Sequence, residues 1–403
     1  MKKLARAVVA AILGHQVRRL YKKGQFKVIG VAGSIGKTST KLAIASVLQN
    51  GFRVRYQEGN YNDLVSVPLV FFGQKLPSLF NPLAWMIVFW QNEKQLRSAY
   101  PFDVVVVELG SDGPGQIARF KSSLKLEIAV ITAITPEHMQ SFKTLDNVAN
   151  EELSVQSFAT LMIANKDLCD DKYISGLPQM LTYGIKNQAD YTYEKLGIAK
   201  KPESLAEQYS VLAAASVAYK LGLQQDKINA AIIGVRPFAG RMQKLAGVNN
   251  STIIDDSYNS SPDAVKMALD ELYSISASQK IAVLGNMNEL GDYAAQAHEQ
   301  VGDYCDPKQL EMVVTVGPEA NQFLGKAAEA KGCRVERFDN PYKAGEFIRP
   351  QVKPGAVILV KGSQNKVFAE ETIKSLLANP ADSSKLVRQE AHWMDIKRKA
   401  FKP

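Results

Sequence analysis

The run Lys27-Val-Ile-Gly-Val-Ala-Gly33-Ser34-Ile35-Gly36-Lys37-Thr38-Ser39-Thr40 constrains this chain more than any other stretch. Val28 to Ala32 is apolar and rich in β-branched residues, and from Thr40 to Leu48 the apolar residues fall at helical spacing. A strand that feeds a glycine loop and then a helix turns backbone N–H groups and a helix N-terminus toward one point, which is an anion site. In such a cradle Gly33, Ser34, Ile35 and Gly36 supply backbone donors, Lys37 meets the β- and γ-phosphates of ATP, and the hydroxyl of Thr38 or Ser39 holds Mg²⁺. The alternative is an ordinary strand-to-helix turn with a solvated lysine; the order glycine, lysine, paired hydroxyls favours the cradle. Val31 stands where the commoner Gly-x-x-x-x-Gly-Lys spacing has its first glycine.

With 403 residues the chain is too long for one typical core, and about two or three domains are expected. The runs Asp103–Glu108, Ile128–Ile134 and Thr160–Ala164 predict strands of a parallel sheet with covering helices. After Pro237 to Arg241 a second series begins at Thr252, Lys280, Met312 and Ala356, each run followed by a helical stretch, as in a smaller doubly wound, Rossmann-like domain. The expected division is a basic amphipathic segment at 1–26, an ATP-binding α/β domain at 27–238, the Rossmann-like domain at 239–378 and a loosely attached polar tail at 379–403.

The apolar fraction of 46% and charged fraction of 22% are those of a soluble globular protein. A net charge of +9 suits acidic small substrates, while no arginine–aromatic module for nucleic acid is present. Cys169, Cys305 and Cys333 lack metal-ligand spacing, which fits a reducing cytoplasm. The apolar run Ala7–Leu13 is too short to span a bilayer. Flanked by Lys2, Lys3, Arg6, Arg18, Arg19, Lys22 and Lys23, it reads either as a helix packed on the first domain or as one lying on anionic lipid. The aromatic stretch Asn81–Trp90 would be apolar around most of a helix, so burial is the default and contact with a partner or lipid the alternative.

Four further segments carry a resemblance: Gly59-Asn60-Tyr-Asn62-Asp63, Val107-Glu108-Leu-Gly110, Asp255-Asp256-Ser257-Tyr258-Asn259 and Val283-Leu-Gly285-Asn-Met-Asn-Glu289-Leu-Gly291. With the phosphate loop and Lys361-Gly362-Ser363, they resemble the Mur ligases over about residues 27 to 375, above all the branch that adds D-alanyl-D-alanine to a UDP-muramoyl-tripeptide. The resemblance implies an ATP-dependent amide ligase of peptidoglycan precursor synthesis acting, as a monomer, on nucleotide-sugar peptide and dipeptide substrates. A carboxylate takes the γ-phosphoryl group as an acyl phosphate, and an amine then displaces phosphate. Both steps gather negative charge, so cations and fixed donors matter more than a protein nucleophile.

Residue by residue, the resemblance makes Glu108 and His138 magnesium ligands, Arg241 a contact to the ATP phosphates, Asp256 the ribose ligand, and Tyr258, Asn259 and Asn165 neighbours of the nucleotide. Asn60, Asn62, Lys361 and Ser363 become substrate contacts. A carboxylate ending a buried strand, as Glu108 does, is costly unless it meets a cation. The family's carbamylated lysine would fall at Glu152, a fixed carboxylate able to supply the same anion without CO₂; otherwise it is a solvated helix glutamate beside Glu151.

Other departures are Asn286 where an aspartate is expected, and Ser204 to Ser210 in place of the adenine-contacting histidine and asparagines. Nothing before residue 27 matches the family's separate UDP-binding domain, which is expected to be lacking. Two alternatives stay open: the same mechanism with another amino-acid or wall-polymer acceptor, and an ATP-binding scaffold whose metal site has decayed.

Overall fold

The computed structural model describes residues 2–59, 61–235 and 238–401; Asn60 and Pro237 lie outside the described residues. The chain forms two compact units, one from residues 1–135, 141–203 and 207–235, the other from 136–140, 204–206 and 236–403.

The first unit opens with helix α1 (Lys2–Tyr21), strand β1 (Lys27–Ala32) and helix α2 (Lys37–Leu48), followed by β2 (Val54–Arg55), α3 (Ser66–Phe72), α4 (Pro82–Gln95), β3 (Val104–Glu108) and β4 (Leu126–Ile131). Helix α5 (Leu145–Leu153), β5 (Ala159–Asn165), β6 (Met180–Tyr183), α6 (Leu205–Lys220) and α7 (Gln225–Gly234) complete the series. The six strands run in the order β2-β3-β1-β4-β5-β6, all parallel. Strands β1, β3 and β4 are apolar almost throughout because helices cover both faces of a parallel sheet. Short polar side chains set the helix starts: Thr144 Oγ1 accepts from Asn147 N at 3.2 Å before α5, and Asn81 Oδ1 from Ala84 N at 3.0 Å before α4, where Pro82 needs no donor partner.

The second unit holds β7 (Gln243–Ala246), β8 (Thr252–Asp256), α8 (Pro262–Ser274), β9 (Lys280–Gly285), α9 (Ala294–Tyr304), β10 (Met312–Val316), α10 (Gly325–Ala330) and β11 (Val335–Phe338). It closes with α11 (Pro341–Ile348), β12 (Val357–Lys361), α12 (Glu370–Leu376) and α13 (Ala391–Ala400). Its sheet has the order β11-β10-β9-β12-β8-β7, parallel except for the β7–β8 pair. Separate apolar clusters pack on its two faces, one around Leu269, Leu284 and Val301, the other around Ile281, Ile358 and Ile373, as a doubly wound sheet requires.

Two expectations meet a different outcome. The segment after residue 378 is no loose tail: α13 sets Lys397, fully buried, at 2.7 Å from Glu370 and 2.6 Å from Glu371. Its polar composition misleads because the polar groups are one another's partners. Helix α4 is only half covered. Trp85, Val88 and Asn92 face α1, while Leu83, Met86, Ile87 and Trp90 stand in solvent.

Candidate active site

The phosphate loop leaves β1 and enters α2 through two glycines with positive φ, Gly33 at 123° and Gly36 at 80°. A Cβ on Gly33 would lie 2.3 Å from Thr132 Oγ1, so the loop passes too close to β4 for any other residue. Ser34 is locked on both sides: its N–H donates to Ala133 O at 2.9 Å and its Oγ accepts from Thr135 N at 3.0 Å. Ile35, Lys37, Thr38 and Ser39 are partly buried and Gly36 is exposed. Lys37 Nζ bends over the loop and donates to the carbonyl oxygens of Gly33 and, at 3.2 Å, of Ser34. The first turn of α2, with its free N–H groups, opens directly behind it.

Glu108 ends β3, in register with Val31 of β1, and is buried. Lys41, one turn beyond Lys37 on α2 and itself buried, sets its Nζ 3.3 Å from Glu108 Oε2 and donates to Gly59 O at 3.1 Å. The ion pair lacks hydrogen-bonding geometry, and Glu108 Oε2 accepts no hydrogen bond. A buried carboxylate oxygen that accepts no hydrogen bond fits Mg²⁺, which takes one or two protein oxygens and completes its shell with phosphates and water. Among the described residues no three His, Cys, Asp or Glu side chains form a ready-made metal cage.

Glu152 and its neighbour Glu151 are both buried at the end of α5. Glu152 Oε2 accepts from Gly33 N at 2.6 Å, so this carboxylate holds the phosphate loop itself. Glu151 accepts from Gly115 N at 2.5 Å and Ile117 N at 2.7 Å. Neither is a solvated helix glutamate. Asn165 is buried, its Oδ1 receiving Asp167 N at 3.0 Å, and Asp167 in turn accepts from Ile185, Lys186 and Asn187 N–H groups at 2.6 to 2.9 Å. This asparagine holds a turn rather than lying open. Asn62, half-buried, accepts Gly110 N–H on its carbonyl at 2.8 Å, which ties its loop to the end of β3.

In the second unit, β8 delivers Asp255-Asp256-Ser257-Tyr258-Asn259 at its C-terminal end, where doubly wound sheets place their ligands. Asp256 sits opposite Lys361 of β12, Oδ2 to Nζ 2.5 Å, and Lys361 also donates to Asn259 O at 3.0 Å. Burial pulls the Lys361 ammonium down from its usual range, and the neighbouring Asp256 partly restores it. Lys361 and Ser363, expected at the substrate, are thus buried tethers here; Ser363 Oγ receives Asn288 N at 2.9 Å and reaches Ser260 O at 3.3 Å. Asp255 is wholly buried, and burial raises its carboxyl to about 6. Arg241 lays its guanidinium 4.3 Å from the Tyr258 ring centroid, with Nε making no hydrogen bond, a planar cation held by an aromatic face with donors to spare. His138 has φ 48°, and its Nδ1 lies 2.5 Å from Glu289 Oε2. The hydrogen bond from His138 holds the Glu289 carboxyl below its usual value. Asn286 Oδ1 accepts from Ala320 N at 2.8 Å, ordering the turn after β10.

The sequence reading missed Lys41 and Arg388. Lys41 stands on the buried face of α2, and a lysine among apolar helix positions was the available signal. Arg388 donates to Ser257 O at 2.7 Å, to Tyr258 O at 3.0 Å and to Glu370, a role no local pattern announces.

The descriptions "Mur ligase middle domain" and "Mur ligase, glutamate ligase domain" match residues 90–224 and 240–364. Among curated relatives, the UDP-N-acetylmuramoyl-tripeptide–D-alanyl-D-alanine ligase of Bacillus subtilis is 24% identical over 378 residues, covering 88% of this chain and 76% of its own. That of Synechocystis is 27% identical over 369 residues, covering 88% and 75%. Among solved structures, the MurF ligase of Thermotoga maritima in complex with ADP superposes with a TM-score of 0.70 at 22% identity, over 91% of this chain and 84% of that one. MurF of Acinetobacter baumannii gives 0.71 at 21%, over 90% and 80%. Two family descriptions spanning both units, laid on a phosphate loop, a cation-poised buried glutamate and a doubly wound partner unit, place the chain in the Mur ligase family of ATP-dependent, ADP-forming acid–amino-acid ligases.

Proposed function

We propose that the chain ligates D-alanyl-D-alanine to a UDP-muramoyl-tripeptide in peptidoglycan precursor synthesis, in the cytoplasm and as a monomer. The observation that carries this reading is Glu108 Oε2, buried without a hydrogen bond at the mouth of the phosphate loop. The three cysteines, all unpaired and buried, suit a reducing compartment.

ATP phosphates are received by the loop amides from Ser34 to Thr38 and by Lys37, which exchanges its carbonyl partners for phosphoryl oxygens. Mg²⁺, when bound, neutralises phosphoryl charge, and Thr38 and Glu108 are the residues proposed to hold it. Lys41 Nζ, 3.3 Å from that same Oε2, is the buried cation that balances the Glu108 carboxylate. Glu152 is proposed as the permanent anion standing where relatives of this type use a carbamylated lysine, and it steadies Gly33 meanwhile. In the second unit, Arg241 offers its unengaged Nε to phosphoryl oxygens, and His138, paired with Glu289, is proposed as a further Mg²⁺ ligand. Asp256, Tyr258 and Asn259 are proposed nucleotide contacts, set in place by Lys361; Asn62 is proposed on the substrate side.

One observation favours a second reading, an ATP-binding protein with a decayed metal site: Glu152 occupies the Gly33 amide with negative charge. Phosphate release from ATP separates the two. Release that requires both a muramoyl-tripeptide and D-alanyl-D-alanine, with the ligated product seen by mass spectrometry, is expected. No release, or release independent of both substrates, overturns the ligase, and turnover with another acceptor alone moves the reading to a different wall polymer.

A further inference from the structure

Helices α1 and α4 pack together through Val9, Leu13, Trp85 and Val88, with Asn92 Nδ2 donating to Gln16 Oε1 at 2.8 Å. Each helix then leaves a second apolar stripe in solvent. On α1 it is Leu4, Val8 and Ile12; on α4 and its leading turn it runs from Phe80, 75% exposed, through Leu83, Met86 and Trp90 to Ile87 at 55%. Isolated exposed apolar residues need no explanation, but an exposed stripe on each of two packed helices, one of them including a Trp and a Phe, marks a surface made to be covered.

The charge around the stripes identifies what covers them. Residues 1–26 carry seven lysines and arginines and no acidic residue. Residues 74–102 add Lys75, Lys94 and Arg97 against the single Glu93, which Arg19 already holds at 2.7 Å. Lys94 Nζ stands over the Trp90 ring, 6.0 Å from its centroid, so a basic group lies directly beside the apolar stripe. A second copy of the chain is a poor occupant, since a two-fold pairing would set this basic rim against itself. Among the described residues no helix is long and apolar enough to cross a membrane, so a bilayer partner would be met at its surface.

We propose that the α1–α4 face is a peripheral docking surface for anionic lipid bilayers, with Leu83, Met86, Ile87 and Trp90 entering the headgroup boundary and the basic residues meeting lipid phosphates. Attraction between the basic side chains and lipid phosphates fades over a Debye length, so binding is salt-sensitive, while the apolar stripes supply the salt-resistant part.

The test is co-sedimentation of the full chain with phosphatidylcholine vesicles with and without phosphatidylglycerol. Partitioning only into the anionic vesicles, weakened by salt, is expected, with a blue shift of Trp90 fluorescence that Trp90→Phe removes. Ile87→Asp with Trp90→Asp, both at exposed positions, lowers partitioning by about tenfold or more with an unchanged circular dichroism spectrum; Lys22→Glu with Lys94→Glu, which leaves the apolar stripes whole, does the same. Equal binding to neutral vesicles, no binding to either, binding retained in both double variants, or self-association that buries Trp90 would each overturn the proposal.

Discussion

Single side chains decide most of the chemistry here, and two of them give sharp expectations. If Glu152 is a permanent anion at the loop, Glu152→Gln keeps an acceptor for Gly33 N–H but loses the charge. Turnover is then expected to fall by about a hundredfold with little change in thermal stability, and the unmutated enzyme's rate is expected to ignore bicarbonate. Full activity in the variant, or bicarbonate activation of the parent, refutes the role. Asp255 supplies the pH dependence. Burial raises its carboxyl to about 6 in the fold, above the ordinary aspartate value of about 3.9, so the neutral form is preferred in the folded state. Its contribution is therefore fully present below the lower value and lost as pH rises through the upper one. Its Oδ2 makes no hydrogen bond while Oδ1 receives Ser257 N and Oγ, so Asp255→Asn preserves the bonded side. The substitution is expected to stabilise the protein at neutral pH by about 1 to 3 kcal/mol and to flatten the stability slope between pH 4 and 6, as read by denaturant unfolding.

At the scale of elements, the C-terminal segment carries the least expected function. Lys397 on α13 bridges Glu370 and Glu371 of α12, and Arg388 between these helices ties Glu370 to the backbone of Ser257 and Tyr258. The segment is thus a strap that holds the proposed nucleotide loop at the end of β8. Lys397→Met takes one of two cations from each buried carboxylate, Glu370 keeping Arg388 and Glu371 keeping Lys374, and is expected to cost about 1.5 to 3 kcal/mol. Adding Glu371→Gln to that variant, which leaves the Arg388–Glu370 pair whole, should recover part of the loss. Calorimetry of the single and double variants, with KM for ATP, checks this: a neutral single substitution would show that the strap does not bear on the loop.

For the whole molecule, each unit has its own sheet and its own apolar clusters, so unfolding is expected to depart from a single two-state transition. The phosphate loop belongs to the first unit, and ADP with Mg²⁺ at about a hundredfold over its dissociation constant should stabilise that transition by about 2.7 kcal/mol. A calorimetric trace in which nucleotide moves nothing would argue against the loop as a nucleotide site.

The sequence by itself determined the two α/β units, the phosphate loop and the strand carrying Glu108, because period-2 and period-3.6 apolar patterns, glycine spacing and a charged strand end are local signals. Parallel pairing needed no more than the continuous apolar runs at Val104, Ile128 and Ile281. Tertiary structure alone decided which polar groups face one another. That Lys41 meets Glu108, that Glu152 spends its carboxylate on Gly33 N–H, that Lys361 is a buried tether for Asp256 rather than a surface contact, and that the polar segment after residue 378 is locked in place all depend on pairs up to 119 residues apart. Composition records that charges exist; only the fold decides which of them leave water together, so that a polar tail becomes a strap and half of an aromatic helix an open face.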